Sequence, residues 1–92
     1  MAKKAEDWIH RAAGMAAQFE ATDMGYMFYI TYTTVLGQAE DGAWIVRIEG
    51  RQTDRGEYWW DHIEFLAVSG TEEHPLVDDA TNEQVAQASK ED

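Results

Sequence analysis

Cysteine is absent from this chain, proline occurs once, and serine occurs only as Ser69 and Ser89. Without cysteine there is no disulfide framework, no thiol nucleophile and no cysteine metal site. Neither serine sits in a nucleophile elbow. There is no glycine-rich phosphate loop, since the 7 glycines fall mostly in turn contexts. No apolar run approaches the roughly 20 residues of a membrane helix, and the N-terminus lacks the apolar core of a secretory leader. No membrane association and a cytoplasmic location are therefore expected. Positive charge is also scarce: 7 Lys+Arg stand against 18 Asp+Glu, a net charge of −11. That balance opposes phosphate contact and argues against direct nucleic-acid binding.

What is present is core material. Of 92 residues, 45% are hydrophobic and 12% aromatic, too much for a disordered acidic tail and sufficient for one domain over residues 1–92. The charge is polarised along the chain. Residues 1–21 balance Lys3, Lys4 and Arg11 against Glu6, Asp7 and Glu20. From Glu57 to the end, ten carboxylates face Lys90 alone, so this stretch holds −9 of the −11. Acid at such density either keeps a small protein soluble or meets a basic partner.

Periodicity predicts an α+β fold: an N-terminal amphipathic helix packed on a three-stranded antiparallel meander, with a short C-terminal helix. Trp8, Ala12, Met15, Ala16 and Phe19 recur at helical spacing, widened by Ile9 and Ala13, and place a helix at about 5–21. Gly14 costs that helix about 1 kcal/mol relative to Ala, and Gly25 marks its stop. β-Branched and aromatic runs then predict strands at about 26–36, 43–51 and 57–68, joined by turns at Asp41-Gly42 and Gly56. Imperfect alternation at Asp61-His62 suggests a bulge in the third strand. The Ser69–Pro75 stretch breaks regular structure, and Leu76 and Val77 are positioned to pin the chain back onto the core. A final helix at about 79–89 has Asp78-Asp79 as caps, a Thr81-x-x-Gln84 capping box and few apolar residues, so it is expected to be marginal.

The first strand is apolar or aromatic on both sides: Tyr26, Phe28, Ile30, Tyr32 and Leu36 alternate with Met27, Tyr29, Thr31, Thr33 and Val35. Trp59 and Trp60 likewise point to opposite faces. One helix covers one face. The second face is either an ordinary Tyr- and Thr-rich solvent face, with the C-terminal helix covering the rest, or an interface anchored by large rings.

Catalytic and metal chemistry are weakly represented. Asp61-His62-x-Glu64 puts His62 and Glu64 on one strand face, and Glu72-Glu73-His74 adds ligand-type side chains. Their spacing specifies no metal geometry. The expected reading is a non-enzymatic chain without cofactor or metal, in which His62 hydrogen-bonds at a strand edge.

The order helix–strand–strand–strand–helix resembles that of double-stranded-RNA-binding domains. Where such domains place basic residues, this chain has Asp78-Asp79-Ala80-Thr81 and Glu40-Asp41-Gly42, so the function is not carried over. In character, Glu57, Asp61, Glu64, Glu72, Glu73, Asp78 and Asp79 resemble the acid displayed by small phage-encoded inhibitors of bacterial defence, including anti-CRISPR proteins. That resemblance implies an inhibitor that occludes a basic nucleic-acid-binding surface on a protein or nucleoprotein complex, by mimicking phosphate charge or by steric blocking. Tyr29, Trp44, Tyr58 and Trp60 would be its aromatic anchors. The alternative is a structural or assembly protein that forms a homodimer or larger oligomer through its aromatic sheet face.

Overall fold

The computed structural model describes residues 2–54 and 56–89, with side chains from residue 7 onward. Among the described residues the order is α1 (Ala2–Asp23), β1 (Met27–Gln38), β2 (Trp44–Thr53), β3 (Trp59–Gly70), β4 (Pro75–Asp79) and α2 (Asn82–Ser89). The strands form one antiparallel sheet in the order β1-β2-β3-β4. Among these residues no helix is long and apolar enough to cross a membrane.

The architecture is α+β as expected, with four strands rather than three. The segment after Gly70 makes a tight hairpin in which Thr71 and His74 exchange backbone hydrogen bonds at 3.3 and 3.1 Å. Pro75 opens β4, an edge strand where a missing N–H leaves no ladder bond broken. Val77 packs on the core and Leu76 stays exposed. Pro-Leu-Val-Asp-Asp carries little strand propensity, and pairing with the central β3 overrides it. The extra strand also removes the element-order likeness to double-stranded-RNA-binding domains.

α1 ends as its sequence demands. Tyr26 N–H donates to Ala21 O at 2.8 Å and Gly25 N–H to Thr22 O at 3.0 Å, with Gly25 at φ 85°. This is a Schellman stop, and glycine takes its left-handed conformation without Cβ strain. The buried stripe differs from the expected one. It runs Ile9, Ala13, Ala17 and Ala21, every fourth residue, flanked by Trp8, Ala12 and Ala16. Met15 and Phe19, assigned to the core by periodicity, are 56% and 65% exposed. Small side chains let the helix axis lie close over the sheet, and the larger residues are displaced to its flank.

α1 packs on Phe28, Val46, Ile48, Leu66 and Val68. The opposite face has its own smaller cluster of Ala39, Ala43, Ile45 and Ala67, closed by Ala88 of α2. α2 begins at Asn82, because Asp78 and Asp79 belong to β4. The Thr81–Gln84 box forms reciprocally: Thr81 N–H donates to Gln84 Oε1 at 2.9 Å and Gln84 N–H to Thr81 Oγ1 at 3.1 Å. Two further bonds anchor α2 to the β1–β2 hairpin. Gln84 Nε2 donates to Asp41 Oδ2 at 3.0 Å, and Glu40 N–H donates to Gln87 Oε1 at 2.9 Å.

The bulges fall in β1, not in β3. β3 pairs with β2 without interruption through Asp61 and His62. β1 shifts register between Ile30 and Tyr32, and again between Val35 and Gly37. Before the first shift Phe28 and Ile30 face α1; after it Thr33 and Val35 do. The extra residue, Thr31, turns Tyr32 onto the same side as Tyr29. Gly50 lies opposite this shift. A Cβ there would run into the Tyr29 carbonyl oxygen and come within 2.9 Å of Ile30 Cα.

Gly50→Ala is therefore expected to lower stability by about 2–4 kcal/mol. Gly14→Ala would meet only Ile30 Cδ1, at 3.8 Å, and is expected to raise stability by about 0.5–1 kcal/mol through helix propensity. Urea unfolding midpoints check both signs; equal midpoints for the two variants would refute the close approach.

Candidate functional site

Two surfaces carry the side chains that the sequence singles out. The first is the part of the sheet that neither helix covers. Cross-strand pairing lays its residues out in rows: Tyr29–Arg51–Asp61, Tyr32–Glu49–Ile63 and Thr34–Arg47–Phe65, with Met27 and Trp59 flanking Thr53 at one end. Tyr32 is 64% exposed and Tyr29 55%, with Ile63, Met27 and Trp59 exposed beside them. Tyr29 stacks on Trp59 with centroids 5.4 Å apart, and the Arg51 guanidinium lies 5.7 Å from the Trp59 ring centroid. This geometry is a cation–π stack on a preformed aromatic pair. Arg47 Nε is 3.3 Å from Glu49, and Arg51 Nε is 3.9 Å from Asp61. The bulge makes this arrangement, since strict alternation would have sent Tyr32 beneath α1.

The second surface is acidic and lies along α1, β3 and β4. Glu72, Glu73, Asp78 and Asp79 are all exposed, and Glu72 reaches Arg11 of α1 at 3.4 Å. Such an exposed pair contributes little to stability. Glu64 is half-buried on the α1 side, with His62 Nε2 at 3.1 Å from its Oε1. The His62 ring meets Phe28 edge-on, centroids 5.2 Å apart. Glu20 joins from α1, from the stretch 1–21 whose charges balance in sequence. Partial desolvation raises its pKa above the ordinary carboxylate value, reinforced by the charges of Glu64 and Asp79 and opposed by His62. A groove of about 170 Å³ runs beside this cluster, lined by residues that include Glu20, Met24, Tyr26, His62 and Glu64. Among the described residues no three His, Asp or Glu side chains converge in a metal-holding arrangement.

The expected site residues are thus divided. Tyr29 and Asp61 lie on the open face. Glu64, Glu72, Glu73 and Asp79 lie along the acidic flank, while Asp78 pairs with Ala67 on the α2 side of the same edge strand. Glu57 is exposed in the β2–β3 turn. The aromatic anchors do not form one patch. Trp44 is half-buried against the α1 core, and Trp60 meets Tyr26 edge-on at 5.6 Å while stacking on Tyr58 at 5.7 Å. Sequence reasoning missed Trp59, Tyr32 and Ile63 on the open face and Glu20 on the flank. The Arg47-x-Glu49-x-Arg51 alternation was a visible signal for the face; the β1 bulge had none. No protein-family profile, curated protein or solved structure matches this chain.

The raised Glu20 pKa fixes a sign. Between the unfolded value and the higher folded one, the native state holds more protons, so this group's contribution to stability falls as pH rises. Glu20→Gln is expected to raise the urea midpoint at pH 7 and leave it unchanged near pH 3, where Glu20 is protonated in both states. A midpoint shift that is the same at both pH values would contradict the electrostatic cause.

Proposed function

We propose that this chain is a non-enzymatic protein-binding module that presents its acidic flank to a basic surface on a partner. The observation that carries the reading is that Glu64 of β3 and Asp79 of β4 stand on the α1 side of the sheet with Glu20 of α1, where their charges add to the larger effect of burial in raising the Glu20 pKa. Like charges held together destabilise the isolated protein, and a lysine- or arginine-rich partner relieves that repulsion. Glu72 and Glu73 extend the same field along the hairpin, and Asp78 carries acid to the α2 side of the edge strand. With a net charge of −11, encounter with a basic target is steered and fast. Their side-chain carboxylates also blunt the β4 edge against strand addition, so the contact is one of side chains rather than of backbone.

The target class that fits is a nucleic-acid-binding groove, where the carboxylates stand in for phosphates. An inhibitor of bacterial defence of the anti-CRISPR kind, acting in the host cytoplasm, is the specific form of this proposal.

Affinity capture from a nuclease-treated bacterial lysate, followed by mass spectrometry, tests it. Basic nucleic-acid-binding proteins are expected at low salt. Their loss is expected toward about 1 M salt, where the Debye length is about 3 Å, and also on replacing Glu72, Glu73, Asp78 and Asp79 by Lys. Capture that survives both treatments would refute the acidic contact.

A further inference from the structure

We infer that the open sheet face is the contact for a second copy of this chain, laid face to face with its strands antiparallel. This surface is separate from the acidic flank, and the inference does not depend on the function proposed for that flank.

Across the face, Arg47 and Arg51 balance Glu49 and Asp61, so the patch is neutral in a molecule of net charge −11. Two such molecules repel through every acidic surface. The neutral patch brings them together without stacking like charges. A strongly basic partner gains nothing from it, because its carboxylates are already opposed by guanidinium groups at 3.3 and 3.9 Å.

Arg51 and Glu49 stand in adjacent rows of β2, about 6.8 Å apart, with Tyr29 and Tyr32 beside them on β1. A two-fold axis lying across the strands between these two rows sets each Arg51 opposite the other copy's Glu49, and each Tyr29 opposite the other's Tyr32. A two-fold axis along the strands would set Arg51 on Arg51 and is disfavoured. The contact is therefore isologous, closing as a dimer rather than growing as a filament.

Three strands and four rows span roughly 14 by 27 Å, on the order of 400 Å². That is about half of the ~800 Å² per partner of a standard stable interface. The dimer is accordingly weak and reversible, with dissociation in the micromolar range or above. The exposed rings of Tyr29 and Tyr32 in the two middle rows, with Trp59 at the end of the face, supply the desolvated area.

Sedimentation equilibrium on the full chain tests the inference. From about 1 μM to about 1 mM, the weight-average mass is expected to rise from 10.5 kDa toward twice that value. Glu49→Arg alone and Arg51→Glu alone are each expected to stay at monomer mass, with far-ultraviolet circular dichroism unchanged because neither side chain lies beneath a helix, Arg51 being exposed and Glu49 half-buried beside Arg47. An equimolar mixture of the two variants restores both cross-copy pairs and is expected to regain at least half of the wild-type mass increase. Tyr32→Ala and Trp59→Ala provide folded variants without a charge change and are expected to lose the association. A wild-type mass constant at 10.5 kDa would overturn the inference. So would single variants that dimerise as well as wild type, or a mixture that stays monomeric. Binding of single-stranded oligothymidine by a monomeric protein, lost on Trp59→Ala, would assign the face to nucleic acid and likewise overturn it.

Discussion

The close approach of β1 to Gly50 is the constraint from which the two faces of the sheet follow. With no Cβ at Gly50, the Tyr29 carbonyl and Ile30 settle against β2, and Thr31 enters β1 as an extra residue. One inserted residue reverses the sidedness of everything after it. Phe28, Ile30, Thr33 and Val35 then all serve the α1 side, where His10 Nδ1 meets Thr33 Oγ1 at 2.6 Å and Gln18 donates to the Phe28 carbonyl at 2.8 Å. Tyr29 and Tyr32 are gathered on the other side. Leu36, the residue after Val35, alternates to the other side and joins the small cluster beneath α2, and a second irregularity follows between Val35 and Gly37.

Coverage is unequal as a consequence. α1 spans 22 residues and lies across the main core, whereas α2 spans 8 and closes only the end of the opposite face, around Ile45 and Ala67. Beyond that end the second face carries large rings and paired charges. Charge is segregated in parallel. The uncovered face is neutral, while unbalanced carboxylates collect along α1, β3 and β4. A molecule built this way has two surfaces of different character, one neutral and aromatic, the other acidic; we propose a second copy of the chain for the first and a basic partner for the second. Local anchoring supports the division: the N–H of Ala43 and the Gln84 amide both donate to Asp41 and hold its carboxyl below the usual range, tying the hairpin to the short helix.

Much of this was legible in the residues. The helix stop at Gly25, the hairpin at Asp41-Gly42, the capping box at Thr81 and Gln84, and the His62–Glu64 pairing each follow from local chemistry that needs no distant partner. What was not legible depended on long-range packing. The stripe of α1 was placed on Met15 and Phe19 because hydrophobicity outranks size in a periodicity argument, while the structure selects alanine for close approach. β4 was hidden by Pro75, Asp78 and Asp79, residues that disfavour strands but are tolerated on an edge. The Thr31 bulge leaves no local mark, since Thr is at home in any strand, and it decided which aromatic residues share a face. Glu20 belonged to a neutral segment in sequence and joined the acidic flank only through folding.

Under the proposed reading these two surfaces respond to different partners. Residue-resolved nuclear magnetic resonance across a concentration series addresses it directly. Shifts at Tyr29, Tyr32, Arg51, Trp59 and Ile63 are expected to move together as concentration rises, while those from Glu72 to Asp79 stay fixed. Uniform shifts over both surfaces, or movement confined to the acidic flank, would contradict the account.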